Sequence, residues 1–131
     1  MNIFNKIFKK KIAAEDDILN RGLKYSMEFG ENFLQPIHNR LENKYSHLNK
    51  SQLEFYSKTC QQVRYDGNQF VYYTLERLNV QRQNISEKKL RDDFHDFIKN
   101  KYSWTTPQNI NSLFSQSCYF AWKDGLDCVI K

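Results

Sequence analysis

Apolar residues recur at intervals of three and four between Glu15 and Tyr45, which is the spacing of one face of an α-helix. Pro36 falls inside this stretch, and a proline in a helix interior removes a backbone hydrogen bond and clashes with the preceding turn. The pattern therefore predicts a helix with a kink or a break near Phe33 to Gln35. Its apolar stripe consists of Leu19, Leu23, Met27, Leu34, Ile37, Leu41 and Tyr45.

A second helix is predicted to begin at Lys50. Asn49 is a residue type that caps helices, and Gln52, three positions later, completes a capping box. The apolar stripe that follows alternates steps of three and four over about 30 residues, or about 45 Å of helix. It comprises Leu53, Tyr56, Cys60, Val63, Gly67, Phe70, Thr74 and Leu78.

Two further helices are predicted by their caps. Ser86 opens one that runs to about Tyr102, and Thr106 with Pro107 at the first helical position opens another that stops at Gly125. No window shows sustained alternation of apolar and polar residues, so the fold class is all-α, a bundle of four main helices. The two apolar faces comprise Leu90, Phe94, Phe97 and Ile98, and Ile110, Leu113, Phe114, Ser117, Cys118 and Ala121.

The sequence NKYS occurs at residues 43–46 and again at residues 100–103, 57 positions later. At the same offset the predicted cap Asn49 coincides with Thr106, and apolar positions coincide as well. This pattern predicts an internal repeat, in which the chain is two packed helical hairpins. The alternative is that Lys-Tyr-Ser simply suits the end of a helix, where the dipole favours lysine.

Both interpretations give Tyr45 and Tyr102 equivalent positions at the ends of their helices. The turns that follow then place His47 and Trp104 in matching positions, near one end of the bundle. That end is a candidate recognition surface, because turns at the end of a rigid scaffold commonly carry binding residues. Ordinary packing of the turns is the alternative.

The positive charge is concentrated at the N-terminus. The chain has a net charge of +5, and residues 1–14 contain four lysines and no acid, which leaves 16 basic and 15 acidic residues elsewhere. A nucleic-acid-binding domain usually clusters its basic residues on one face. The interspersed signs of the body therefore disfavour nucleic acid as a partner.

Residues 1–14 are predicted to form a basic amphipathic segment ahead of a single helical domain, residues 15–131. The stripe lasts only two turns, and such a short helix is marginal alone in water. It would form on a membrane surface, on a protein partner as a mobile arm, or on the bundle itself. The candidate membrane or partner contacts are Ile3, Phe4, Ile7, Phe8, Lys9, Lys10 and Lys11.

No apolar run reaches the roughly 18 residues that span a bilayer, and no secretory signal follows the first lysines. The odd number of cysteines, without metal-binding or paired spacing, predicts free thiols. We therefore expect a cytoplasmic protein, peripheral to the inner face of a membrane if residues 1–14 bind lipid. The cysteines are Cys60, Cys118 and Cys128.

Catalytic and metal-binding signatures are weak. His95 has an acidic residue three positions before it, a spacing that metal-binding helical bundles use twice, but the spacing does not occur a second time. Glu31, His38 and Glu42 share a helix face, and ion pairing within the helix explains this pattern better than catalysis does. Cys118 lies on an apolar stripe, which favours burial over nucleophilic chemistry. No phosphate-binding loop or hydrolase motif is present. We predict no catalytic residue, metal or cofactor.

Surplus aromatic residues are the better indication of function. They lie beside the apolar stripes of the second and fourth helices, and tyrosine and tryptophan commonly anchor interfaces. The sequence thus predicts a non-enzymatic protein-interaction or regulatory module that binds a protein partner or itself; core packing is the alternative for these residues. A peripheral membrane protein is the second hypothesis, and an enzyme without a recognisable motif is the third. The candidate interaction surface comprises His47, Trp104, Tyr65, Tyr72, Tyr73, Tyr119 and Trp122.

Overall fold

Five α-helices follow one another along residues 3–28 and 36–131, the part of the chain that the computed structural model describes. A short 3₁₀ helix closes the chain, and an isolated bridge joins Ile85 to Ile130. No strand occurs within these residues, so the prediction of an all-α fold is confirmed. The helices are α1 (Ile3–Ser26), α2 (His38–Lys44), α3 (Lys50–Val80), α4 (Glu87–Lys101) and α5 (Pro107–Lys123), and the 3₁₀ helix is Leu126–Val129.

The capping box at the start of α3 is confirmed. The Asn49 N–H donates to Gln52 Oε1 at 2.8 Å, and the Gln52 N–H donates to Asn49 Oδ1 at 2.9 Å. Each side chain thus satisfies a backbone group that the first turn leaves without a partner. The helix begins at Lys50, where the sequence predicts it.

The caps of α4 and α5 also follow the sequence. Ser86 Oγ accepts a hydrogen bond from the Lys89 N–H, and Thr106 Oγ1 accepts one from the Asn109 N–H. Gly125 follows α5 with a φ of 82°, in the left-handed region that glycine adopts without steric cost. These local signals fix three helix starts and one stop.

The stretch predicted as a helix with a kink or a break over residues 15–45 forms two helices, because α1 ends at Ser26 and α2 begins at His38. Counted separately, these two bring the described helices to five. Pro36 precedes α2, as expected from a residue that cannot continue a helix. The break expected near Phe33 to Gln35 lies outside the described residues. At its other end α1 begins at Ile3, so the predicted boundary at residue 14 lies inside this helix.

The chain divides into two compact units, Met1–Gln61 and Gln62–Lys131. In the first unit, Gly22 of α1 allows a close approach of neighbouring side chains. A Cβ at this position would lie 3.0 Å from Cys60 Sγ and 3.3 Å from Ile37 Cδ1. The buried apolar residues of this unit include Ile18, Leu19, Leu23, Met27, Ile37, Leu41, Leu48, Leu53, Tyr56 and Cys60.

The core of the second unit is built around Phe94, whose side chain is fully buried. Its ring makes edge contacts with Phe70 and Phe114, at centroid distances of 5.9 and 5.4 Å. A Cβ on Gly67 of α3 would lie 2.9 Å from Leu113 Cδ2 and 3.2 Å from Phe94 Cζ. The glycine therefore lets side chains of α4 and α5 pack directly on the α3 backbone.

The apolar stripe predicted for α3 is correct as far as Gly67 and shifted beyond it. Val71 and Leu75 are fully buried, whereas Phe70 and Thr74 are only half-buried. A strict seven-residue repeat drifts by about 20° per heptad relative to a straight helix of 3.6 residues per turn. After two heptads the drift reaches about 40°, which moves the centre of the buried face away from Phe70 and toward Val71. Phe70 is left at the edge of the core.

Candidate functional site

The C-cap residues that follow α2 and α4 have nearly the same geometry in their respective units. Tyr45 has φ and ψ of −126° and 75°, and Tyr102 has −131° and 74°. The cap N–H of each donates at 2.7 Å to the carbonyl four residues earlier, that of Leu41 or Ile98. Both tyrosine hydroxyls donate to an aspartate. The internal repeat itself stays a prediction, because matching caps are a local feature.

The aspartate that faces Tyr102 is the buried Asp66 of α3. Its carboxylate accepts hydrogen bonds from Tyr102 Oη at 2.5 Å, Gln62 Nε2 at 2.8 Å and Lys101 Nζ at 2.8 Å. Burial alone would raise the pKa of Asp66, but the hydrogen bonds from Lys101, Tyr102 and Gln62 outweigh it and lower the pKa. Burial and the neighbouring Asp66 raise the pKa of Tyr102. The network ties α3 to the end of α4.

The corresponding network in the first unit is more exposed. Tyr45 Oη donates to Asp17 Oδ2 of α1 at 2.6 Å. Burial first, and then the hydrogen bond to Asp17, raise the pKa of Tyr45. The same kind of bond thus joins α1 to the end of α2.

The two predicted turn residues lie one in each unit. His47 is exposed, with its ring centroid 6.4 Å from that of Tyr45, and Trp104 is half-buried, 6.1 Å from Tyr102. Each turn therefore places an aromatic ring against the capping tyrosine. A shared recognition surface formed by His47 and Trp104 stays a prediction.

The remaining predicted surface residues all belong to the second unit. Tyr65 and Tyr73 of α3 are 60% and 61% exposed, and Trp122 of α5 is 56% exposed. Tyr119 is also exposed, with its ring 6.0 Å from that of Trp122, and Tyr72 is half-buried. These rings leave much of their apolar area in water, as expected for interface anchors.

A groove of about 660 Å³ lies between α3 and α4, and we call it the α3/α4 groove. Two of its lining residues form an aromatic stack, since the Phe70 and Phe97 rings lie 4.7 Å apart at an interplanar angle of 20°. Val80 on its wall is 78% exposed. The sequence pattern did not identify Phe70, Phe97 or Val80 as binding residues. An apolar stripe with a period of 3.6 rather than 3.5 residues would have predicted that Phe70 lies at the edge of the core. The groove is lined by Asp66, Gln69, Phe70, Tyr73, Thr74, Glu76, Arg77, Val80, Gln81 and Phe97.

A smaller pocket of about 380 Å³ lies between α3 and α5, and we call it the α3/α5 pocket. Ser117 Oγ donates a 2.7 Å hydrogen bond to Asn68 Oδ1, which holds α3 and α5 together at this pocket. Gln69 and Tyr73 line both the pocket and the α3/α4 groove, so they form the ridge between them. The pocket is lined by Asn68, Gln69, Tyr72, Tyr73, Ser117, Phe120, Ala121 and Asp124.

The candidate nucleophile Cys118 is half-buried, and the candidate ligand His95 is hydrogen-bonded to a neighbouring amide. Burial raises the pKa of the Cys118 thiol to about 11 and that of the Cys60 thiol to about 12, so both stay protonated near neutral pH. The His95 ring shares a 2.7 Å hydrogen bond with Asn111 Oδ1. Within residues 3–28 and 36–131, no group of three or more acidic, histidine or cysteine side chains could hold a metal ion. Glu31 lies outside these residues.

The structure describes the side chains of only some of the predicted N-terminal contact residues. Ile3 is 71% exposed, and Lys9 and Lys11 are exposed along α1. The predicted contacts Phe4, Ile7, Phe8 and Lys10 have side chains that lie outside the described part of the molecule. None of the described helices combines the length and apolar character needed to cross a bilayer.

The chain matches no family model, no curated protein and no solved structure. Two concave surfaces of the second unit, the α3/α4 groove and the α3/α5 pocket, lie on either side of Tyr73.

Proposed function

We propose that the protein is a non-enzymatic protein-interaction or regulatory module and that its second unit carries the binding surface. The observation that supports this proposal is the α3/α4 groove, whose lining includes the stacked rings of Phe70 and Phe97 and the exposed side chain of Val80. Tyr73 and Val80, which both line the groove, are 61% and 78% exposed. Exposed apolar concavities of this kind are typical of sites that bind a partner.

The walls of the groove suit a protein partner that inserts apolar side chains. The stacked rings of Phe70 and Phe97 are held by the core, so the partner would not have to order them on binding. Glu76 and Arg77 on the lining carry opposite charges. Charges of both signs around an apolar centre set the orientation of a bound segment more than its affinity.

The proposal predicts that Tyr73→Ser weakens partner binding at least about tenfold, because aromatic anchors dominate interface energies. The partner is first isolated by crosslinking to the full chain, and its affinity is then measured by calorimetry. Self-association is measured by light scattering. Phe55→Ser is the matched control, since Phe55 lies on the same helix and is also 61% exposed but is not part of the groove.

Two outcomes would count against this function. One is a monomeric mass together with the absence of any stable partner. The other is an equal loss of affinity in Tyr73→Ser and Phe55→Ser, which would indicate general surface stickiness rather than a site at the groove.

A second candidate function is peripheral attachment to a membrane through α1. The observation in its favour is that Ile3, Lys9 and Lys11 are exposed on one helix. Lysines near an anionic surface contribute about 1 kcal/mol each, enough for reversible attachment. We expect the full chain to float with anionic vesicles, and the double variant Lys9→Gln with Lys11→Gln to have a membrane partition coefficient lower by about tenfold or more. Equal flotation of the full chain and a chain without residues 1–14 would remove this candidate.

A further inference from the structure

The α3/α5 pocket has the chemistry of a site for an organic cation. The residues that line it include three aromatic ones, Tyr72, Tyr73 and Phe120, and one acidic one, Asp124. Among the described residues that line it, none is a lysine or an arginine. The faces of aromatic rings carry partial negative charge and attract cations, and a neighbouring carboxylate adds to this attraction.

The end of α5 reinforces the negative potential. Asp124 is the C-cap of α5, and its N–H donates to the carbonyls of Phe120 and Ala121 at 3.3 and 3.1 Å. A helix C-terminus carries partial negative charge from its last carbonyl groups. Asp124 forms no ion pair with any residue that the structure describes. The adjacent Lys123 instead lies over the Tyr119 ring, with its Nζ 5.3 Å from the centroid.

The pocket is held in place before any ligand binds. Ser117 is buried, and its hydrogen bond to Asn68 links the two helices that form the walls. A volume of about 380 Å³, compared with about 660 Å³ for the groove, suits a single side chain rather than a helix. Pre-formed walls reduce the entropy that binding would otherwise cost.

Building on the proposed function, we propose that the α3/α5 pocket binds the guanidinium group of an arginine on the protein partner. A guanidinium stacks on aromatic faces and donates two parallel hydrogen bonds to a carboxylate, which a lysine ammonium cannot do. The partner would straddle the ridge of Gln69 and Tyr73, with an apolar residue in the α3/α4 groove and the arginine near Asp124.

The test is an NMR titration of the full chain with arginine blocked at both ends, as an acetyl amide, against the matched citrulline derivative. Citrulline has the same shape without the charge. We expect the arginine probe to perturb Tyr72, Phe120 and Asp124 and to bind at least about tenfold tighter than the citrulline probe. Asp124→Asn should weaken arginine binding about tenfold, whereas the control Asp127→Asn, on the 3₁₀ helix outside the pocket, should leave it unchanged.

Several results would overturn this assignment. Equal binding of the two probes, or perturbations confined to the α3/α4 groove, would remove the cation site. A blocked lysine that binds as tightly as arginine would contradict the choice of guanidinium. Tighter binding of free L-arginine than of the blocked form would assign the pocket to a small metabolite instead of a protein side chain.

The two proposals can fail separately. If the arginine probe binds as expected but no partner or self-association is found, the site stands and the proposed function fails. If a partner depends on Tyr73 but binds Asp124→Asn as tightly as the native chain, the function stands and the arginine site fails.

Discussion

Replacement of Phe94 by alanine is expected to lower the free energy of unfolding by about 3–5 kcal/mol. Phe94 is fully buried, its ring contacts those of Phe70 and Phe114, and it packs against the α3 backbone at Gly67. Removing the ring loses its burial and leaves a cavity that rigid neighbours cannot fill. Such a loss is a large part of the 5–15 kcal/mol that stabilises a typical domain.

Urea unfolding followed by tryptophan fluorescence measures this effect, because both tryptophans, Trp104 and Trp122, lie in the second unit. The control is Phe55→Ala, which removes the same side chain from an exposed position and should change the free energy of unfolding by no more than about 0.5 kcal/mol. A loss below about 1 kcal/mol for Phe94→Ala would contradict the packing described for this core.

Replacement of Asp66 by asparagine is expected to cost about 2–3 kcal/mol at neutral pH. The carboxylate accepts hydrogen bonds from Tyr102, Gln62 and Lys101, and bonds to a buried charged group contribute more than neutral ones. Tyr102→Phe removes one of these donors and should cost about 1 kcal/mol. As a control, Asp93→Asn breaks an exposed ion pair with Lys89 and should cost about 0–1 kcal/mol.

Because of the same network, the free energy of unfolding is expected to depend on pH in the acidic range. The folded-state pKa of Asp66 is lowered below its unfolded value of about 3.9. The carboxylate therefore contributes its full stabilisation above about pH 4, and this contribution is lost as the pH falls through the lower, folded pKa. Urea unfolding measured at a series of pH values from 6 downward should show that the free energy of unfolding falls less steeply below about pH 4 in Asp66→Asn than in the native chain. Parallel curves would contradict the network.

The starts of α3, α4 and α5 were predictable because they depend on neighbours in sequence. Asn49 and Gln52 satisfy each other's backbone groups three residues apart, and Gly125 needs only its own freedom to adopt a positive φ. Thr106 caps α5 in the same local way. Such interactions exist in any fold that contains these helices.

The groove and the pocket were less predictable because they depend on residues brought together by packing. The sequence identified Tyr72 and Tyr73 as lying off the α3 stripe, but it assigned Phe70 to the core. The bond between Asp66 and Tyr102 joins residues that are 36 positions apart, and no local rule indicates it. A hydrophobic pattern fixes which face of a helix is buried but not which residues lie at the edge of that face.

Helix α3 crosses the boundary between the two units, which affects where the chain can be cut into fragments. The first part of this 31-residue helix, to Gln61, belongs to one compact unit and the remainder to the other. A cut at this boundary would leave up to four carbonyl groups without helical partners at the new C-terminal end, and up to four N–H groups at the new N-terminal end. A fragment of the second unit is better begun at Asn49, where the native capping box already closes the helix. For this protein, the natural place to cut is set by helix caps and not by the limits of the cores.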